Sequence, residues 1–280
     1  MFFLRGPEEG LEDVVTLAAP FTERQNLTIT ALKAGYQAYL CEQQPKVPAR
    51  AVRHTEFVRD AAWRQELSAW FHDPSSVQGA AERNHPSDGA AMDEILAGFE
   101  ALCAVEPDLA PLFDLTVNQV FVQVPPQASG SGSSFDCVGL IYVNPRAGWT
   151  RQDTVECLVH EFAHTLLYLD AMRHTHHPDY RLLDLPENQA ETAITGRLRS
   201  IFFAFQSFLI AAEILTIRTR HPRLCSGNGI HGSTPEILAT ARRTYDACMA
   251  HPNLDALATP RLRGLLDDAY NRLRDIEHGG

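Results

Sequence analysis

The chain has 280 residues, of which 45% are hydrophobic and 21% are charged, and these values are typical of a globular protein with a sizeable core. Its formal net charge of −11 argues against a nucleic-acid or anionic-membrane surface, because phosphate binding needs basic patches. The six cysteines are scattered without a C-x-x-C pair, which indicates reduced thiols. The longest apolar run, 201–215, is broken by Gln206 and Glu213 and is shorter than the roughly 20 residues of a membrane span. We therefore expect a soluble cytoplasmic protein.

Helical spacing of apolar residues recurs along most of the chain. The helices that it predicts are, in chain order, 22–44, 50–73, 87–105, about 152–172, about 190–219, about 234–250 and about 260–277. Before the fourth of these helices the pattern changes to alternation, which predicts strands at 116–124 and 135–144. The segment 128–134, "ASGSGSS", is typical of a flexible connector or surface loop.

This order of elements predicts a mostly α fold with a small β-sheet, of the α+β class. A helical N-terminal region would cover 1–110, and a region that carries a metal site would cover 111–280, within one continuous domain. In the second region the helix over 152–172 packs beside the short sheet, and a long helix follows it.

The helix over 152–172 carries the pattern H-E-x-x-H at His160, Glu161 and His164. Residues four apart share a helix face, so the two imidazoles can bind one metal ion. Glu161 lies beside that face, where a metallohydrolase keeps its general base. Because the surrounding residues are apolar, three buried polar side chains would be costly without strong partners. The motif therefore predicts a metal site.

The third protein ligand is less clearly indicated. Arg199, Gln206 and Glu213 recur every seven residues, which predicts one polar stripe along an apolar helix. Glu213 would complete the set of two histidines and one carboxylate that non-haem iron oxygenases use, whereas Gln206 occupies the middle of the stripe. A hydrogen-bonded structural network is the alternative for the stripe. The remaining ligand candidates are polar residues that follow the motif, namely His174, His176, His177, Glu187 and Glu191.

Four stretches carry a resemblance to a known family: "LIYVNPRAGW" (140–149), "ECLVHEFAHTLLYLD" (156–170), "PENQAETAITGRLRS" (186–200) and "FAFQSFLIAAEIL" (203–215). From about 138 to 218 the chain resembles the HExxH-containing peptide-modification proteins, the iron- and 2-oxoglutarate-dependent peptide β-hydroxylases of bacterial peptide maturation.

The resemblance implies that His160 and His164 bind Fe(II) and that 2-oxoglutarate is the co-substrate. It also implies a peptide or a carrier-bound amino acid as substrate, in natural product biosynthesis. Where the family has a histidine after phenylalanine, this chain has Gln206. If that histidine is the third iron ligand, Gln206 or Glu213 takes its place, or the chemistry has changed.

Under this resemblance the distal carboxylate of 2-oxoglutarate needs a buried arginine, for which Arg199 is the first candidate and Arg197 the second. The alternative is a salt bridge from this arginine to a glutamate of 187–191. Glu161 would orient a metal ligand. The strand 135–144 would form a cleft wall, to which an extended peptide could add by β-pairing.

Three hypotheses follow for the function. The first is the iron- and 2-oxoglutarate-dependent oxygenase that hydroxylates a β-carbon. The second is a zinc metallopeptidase in which Glu161 activates a zinc-bound water. The third is a non-catalytic binding protein on the same scaffold, which the glutamine at position 206 favours.

Overall fold

The structure is a computed structural model, and it describes residues 1–23, 28–48, 50–71, 88–124 and 130–279. The helices of these residues are α1 (Phe2–Arg5), α2 (Pro7–Ala18), α3 (Ile29–Gln43), α4 (Ala61–Ser68), α5 (Asp88–Val105), α6 (Leu109–Thr116), α7 (Arg151–Arg173), α8 (Ile201–Arg220), α9 (Thr234–Met249), α10 (Leu254–Leu257) and α11 (Pro260–Gly279). The strands are β1 (Glu56–Phe57), β2 (Gln119–Phe121), β3 (Ser131–Gly132), β4 (Leu140–Val143), β5 (Gln189–Glu191) and β6 (Leu198–Ser200). Helices dominate and the strands are short, so the predicted α+β class with a small sheet is confirmed.

The strands form two small sheets. In the first sheet the order is β1-β2-β4-β3, with parallel pairs β1–β2 and β2–β4 and an antiparallel pair β3–β4. The register places Gln119 of β2 opposite Leu140 of β4, and Gly132 of β3 opposite Tyr142 of β4. The second sheet is the antiparallel pair β5–β6.

The chain forms two compact units. We call Pro7–Asp170 the motif unit and Met1–Gly6 with Ala171–Gly280 the long-helix unit. The division at Asp170 differs from the two predicted regions, which met at 110. In the motif unit, side chains of the first sheet and of α4 share a core cluster that consists of Val58, Trp63, Leu67, Phe121, Cys137, Leu140 and Tyr142.

The core of the long-helix unit is built on α8, which packs against α1, α9 and α11. By length and composition α8 could cross a membrane, yet 83% of its apolar 18-residue stretch is buried inside the protein. Burial of this kind is typical of the central helix of a soluble protein.

Most of the predicted elements are confirmed, since 87–105 corresponds to α5, the motif helix to α7, and the last two helices to α9 and α11. The predicted helix 50–73 is wrong in its first half, where Glu56 and Phe57 pair with β2. The extended conformation of this half is set by pairing with a strand that is distant in the sequence, and helical spacing cannot detect such a pairing. The helices α2 and α6 were not predicted. Residues 24–27, 72–73 and 87 of the predicted helices lie outside the described residues.

The long helix begins later than predicted, because 190–200 forms the end of β5, a β-hairpin turn and β6. Gly196 closes the turn with φ of 62°, a left-handed conformation that favours glycine. The main-chain N–H of Thr192 donates to the carbonyl of Arg197 at 2.9 Å, and the N–H of Gly196 donates to the carbonyl of Thr192 at 2.8 Å. The turn was not predicted, because the residues that follow the hairpin have helical spacing and form α8.

Candidate metal centre

The three motif residues lie on α7, which runs without interruption through the motif. The ring centroids of His160 and His164 are 5.0 Å apart, as expected for side chains one turn apart on a helix. One donor atom from each of His160, Glu161 and His164 lies within 4.8 Å of the other two. The Nε2 atom of His160 is 3.9 Å from Oε1 of Glu161. The helix thus brings together two imidazoles and one carboxylate.

Glu161 is held in place by two serine hydroxyls. The hydroxyl of Ser131 donates to Oε1 and that of Ser133 donates to Oε2, each at 2.7 Å. The Glu161 side chain is only 3% exposed, whereas that of His160 is 19% exposed. Burial raises the pKa of the Glu161 carboxyl to about 7, although the two serine bonds act in the opposite direction. A carboxyl group with a pKa near neutrality can exchange a proton under ordinary conditions.

The strand β3 explains how these serines reach the motif helix. Ser131 and Ser133 are two residues apart, so they point to the same side of an extended segment. Pairing of β3 with β4 positions that side toward α7. The prediction of a flexible connector is wrong for residues 131–132, which form a strand, and neither serine was predicted as a site residue. Residues 128–129 of the predicted connector lie outside the described residues. The available signal was the Ser-x-Ser spacing immediately before the strand that precedes the motif.

His164 is kept in its neutral form by its surroundings. Burial lowers the pKa of its imidazole to about 4. Its ring stacks on that of Tyr168 with centroids 5.6 Å apart. Its Nδ1 atom is buried and has no hydrogen-bond partner within the described residues. A neutral imidazole is the form that binds metal ions, and a buried nitrogen without a hydrogen bond is costly.

Tyr168 and Cys157 lie beside the network that Glu161 forms with its two serines. Burial raises the pKa of the Tyr168 phenol far above its ordinary value, and the charge of Glu161 acts in the same direction. Burial likewise raises the pKa of the Cys157 thiol. Both groups therefore stay protonated at neutral pH and leave Glu161 as the group of this network that can change its charge.

The donor set fits a divalent metal ion. Two imidazole nitrogens and a carboxylate oxygen are ligands that both iron(II) and zinc accept. The donor atoms of His160, Glu161 and His164 lie within 4.8 Å of one another, so the three side chains could hold one ion. The Nδ1 atom of His164 is also without a hydrogen-bond partner among the described residues.

The other predicted ligands belong to the long-helix unit, where Glu213 and Glu191 have partners of their own. Both carboxylate oxygens of Glu213 accept main-chain hydrogen bonds, from Phe3 N–H at 2.9 Å and from Leu4 N–H at 3.1 Å. These bonds account for a buried carboxylate without a metal ion. Gln206 is buried in α8 at 7% exposure. Glu191 forms a surface ion pair, in which its Oε1 lies 3.0 Å from Nη2 of Arg243.

The two arginines proposed for 2-oxoglutarate are exposed. Arg197 lies between the turn and β6, Arg199 lies on β6, and neither is buried. The guanidinium Cζ of Arg199 lies 5.2 Å from the centroid of the Phe203 ring. Because α8 begins at Ile201, Arg199 does not share a helical stripe with Gln206 and Glu213. The expectation of a buried arginine at these positions is therefore wrong, and the hairpin is the physical reason.

The chain matches no family model, and no curated protein matches it either.

Proposed function

We propose that this protein is an iron(II)- and 2-oxoglutarate-dependent oxygenase that hydroxylates a β-carbon in a peptide or in a carrier-bound amino acid. The observation that carries the proposal is the group of two imidazoles and one carboxylate whose donor atoms lie within 4.8 Å of one another. Two histidines and one carboxylate, with other positions open, are the donor set of non-haem iron oxygenases. The resemblance of residues 138–218 to peptide β-hydroxylases supports the same chemistry.

Glu161 is the third donor in this proposal, in place of Glu213 or Gln206. It is adjacent to His160 and has its two oxygens oriented by Ser131 and Ser133. Serine hydroxyls leave further lone pairs of the carboxylate available, because each carboxylate oxygen can accept more than one bond. Glu213, by contrast, is already occupied by Phe3 and Leu4.

Iron(II) and 2-oxoglutarate, when bound, would supply the chemistry that activates O₂: one oxygen atom of O₂ would enter the C–H bond as the hydroxyl group, and the other would enter succinate, which leaves together with CO₂. The residues of this chain hold and orient the reactants. Burial keeps His164 neutral and ready to bind metal. Tyr168 stacks on the His164 ring and limits its rotation. The arginine for the distal carboxylate of 2-oxoglutarate is not assigned, since Arg199 and Arg197 are exposed.

An extended peptide substrate fits best along β3. The strand β4 pairs with β2 at Leu140, Ile141 and Tyr142, and with β3 at Tyr142 and Val143, so these positions of β4 are already occupied. Within the described residues β3 is at the end of the strand order, and it carries the serine that holds Glu161. A peptide that adds to this edge would run past the donor group.

We place the protein in the cytoplasm as part of the same proposal. All six cysteines lie in the described residues and are free thiols. Free, mostly buried thiols are typical of a reducing compartment, which also keeps iron in its divalent form.

The proposal is tested with purified protein, Fe(II), ascorbate and 2-oxoglutarate in air, with succinate as the product measured. We expect iron-dependent succinate formation even without the peptide, at a slow uncoupled rate, and none from His164→Ala. His278→Ala is the control, because His278 is exposed and, among the described residues, its hydrogen bond is to the carbonyl of Arg274 in its own helix. If the wild-type protein neither binds Fe(II) anaerobically nor forms succinate, the oxygenase proposal is wrong.

One observation favours a second function, that of a zinc metallopeptidase. Glu161 is buried beside two imidazoles and has a pKa raised to about 7, which suits a general base that takes a proton from a metal-bound water. In this case Glu161 would not be a ligand, and the third ligand would have to come from outside the donor group described above.

Glu161→Gln separates the two functions by metal affinity. If Glu161 is a ligand, the variant should bind Fe(II) about 10-fold or more weakly. If Glu161 is a general base, the variant should retain zinc with an unchanged dissociation constant and lose hydrolysis of a casein substrate. Retained affinity together with peptidase activity in the wild type would favour the peptidase.

A further inference from the structure

A cavity of about 370 Å³ opens in the motif unit, lined by residues of α3, of 44–51 and of the starts of β2 and β4. This volume lies within the range of about 300–1,000 Å³ that small-molecule sites occupy. The wall is largely apolar and includes Leu40, Val47, Val138 and Leu140. It shares no residue with the donor group of α7.

Arg50 is the charged side chain at this cavity, and the other described lining residues are uncharged. Its guanidinium Cζ lies 4.0 Å from the centroid of the Trp63 ring. A guanidinium stacked on an aromatic face keeps the N–H groups at its edge free to bind a carboxylate in a bidentate manner. Among the described residues, no carboxylate forms an ion pair with Arg50. The stacking therefore orients the exposed guanidinium of Arg50 without neutralising its charge.

The polar part of the wall consists of carboxamides. Nε2 of Gln37 donates to the carbonyl of Val52 at 2.8 Å and to Oδ1 of Asn118 at 3.1 Å. Both polar atoms of Gln44 are buried and lack a partner within the described residues. A buried amide without partners is costly, so a rotation of Gln44 toward a polar ligand would be favourable. These amides add hydrogen-bonding capacity but no negative charge.

We propose that this cavity binds a small monocarboxylate with an apolar body. The carboxylate binds the guanidinium of Arg50, and the body packs against Leu40, Val138 and Leu140. A cavity whose charged lining group is an arginine selects an anion over a neutral molecule of the same shape. The cavity is distinct from the proposed oxygenase site, so this inference does not depend on the metal.

The test compares 3-phenylpropanoate with its neutral isostere 3-phenylpropanamide. Binding is measured by titration of ¹⁵N-labelled protein, with the side-chain amide signals of Gln37, Gln44 and Asn118 as reporters. We expect the acid to bind at least about 10-fold more tightly than the amide, and to shift these signals.

Three variants locate the site. Arg50→Gln should reduce the affinity for the acid about 10-fold or more, and should leave the affinity for the amide within about 2-fold. Arg53→Gln removes the same charge from a neighbouring exposed arginine that does not line the cavity, and should change neither affinity. Ala38→Trp places an indole at the exposed mouth and should abolish binding of both probes.

The proposal is overturned if neither probe binds below about 10 mM, or if the amide binds as tightly as the acid. Equal losses from Arg50→Gln and Arg53→Gln would also overturn it, because they would indicate a general effect of charge. Thermal unfolding of each variant shows whether it is folded. If Arg50→Gln does not fold, Arg50→Lys replaces it, and this variant should retain the charge but lose several-fold in affinity, since lysine lacks the bidentate geometry.

Discussion

Glu161 in the motif unit and Glu213 in the long-helix unit are both buried carboxylates on apolar helices, and burial raises the pKa of each. The groups that hydrogen-bond to them differ. Glu161 is bound by two serine hydroxyls, whereas Glu213 is bound by the main-chain N–H groups of Phe3 and Leu4. A hydroxyl can rotate to donate or to accept a hydrogen bond, but a main-chain N–H only donates and its direction is fixed.

The comparison shows that burial and a raised pKa do not by themselves identify a reactive carboxylate. Glu213 uses both oxygens to fix a chain segment, which is a structural role. Glu161 has donors that can adjust when a metal or a proton arrives, and it lies beside the two imidazoles. The residue type and helix environment are alike, and the partners distinguish the two roles.

The largest effect is expected on metal binding. His164→Ala should weaken Fe(II) and Zn²⁺ binding by more than about 100-fold, because it removes a donor from the group around Glu161. Glu213→Gln should leave metal affinity within about 3-fold, since its carboxylate bonds only to main chain among the described residues. Anaerobic titration with a competing chelator measures both values. An equal loss of affinity in the two variants would mean that Glu213 also takes part in metal binding.

The free energy of unfolding should respond more strongly to Glu213→Gln than to Glu161→Gln. Glu213→Gln places an NH₂ group against the N–H of Phe3 or Leu4 and should lower the free energy of unfolding by about 2–4 kcal/mol. Glu161→Gln should cost less than about 1 kcal/mol in the metal-free protein, because the hydroxyl of Ser131 or Ser133 can rotate to accept from the new amide. Urea unfolding of both variants measures the difference. Equal costs would contradict the assignment of rotatable and fixed donors.

The pH dependence of stability sharpens the same contrast. The Glu161 carboxyl has an ordinary pKa of 4.5 and a folded-state pKa of about 7, so between these values the folded protein binds more protons than the unfolded chain. Stability should therefore fall as pH rises through this window, by up to about 3 kcal/mol from this group. As the pH is raised from 4.5 to 7, the metal-free wild type should lose stability, and the Glu161→Gln variant should not show this loss. A difference that does not change with pH would show that the Glu161 pKa is not raised.

The smallest effect concerns the serines. The double variant Ser131→Ala with Ser133→Ala should reduce metal affinity by about 10-fold, because Glu161 loses the bonds that orient it. Ser134→Ala is the matched control, since Ser134 accepts a bond from Asp136 N–H at 3.2 Å and does not contact Glu161. Unchanged affinity in the double variant would mean that the hydroxyls do not position the carboxylate.

Sequence reasoning was successful where the pattern is local. The spacing of His160 and His164 by four residues predicts a shared helix face, and their rings lie 5.0 Å apart. The boundaries of α5, α7, α9 and α11 follow from helical periodicity to within a few residues. It was unsuccessful for the predicted helical stripe of Arg199, Gln206 and Glu213, because periodicity alone cannot detect the hairpin turn at Gly196 that separates Arg199 from α8.

The amino-acid sequence by itself determined the helical class of the protein and the pairing of two imidazoles on α7, since both depend on interactions within a few residues. Only the tertiary structure decided which groups bind the two buried glutamates. Ser131 is 30 residues from Glu161, and Phe3 is 210 residues from Glu213. Hydrogen bonds over such separations depend on how strands and helices pack, and packing leaves no periodic signal in the sequence. The same residue type therefore acquired a proposed metal-binding role in one unit and a structural role in the other.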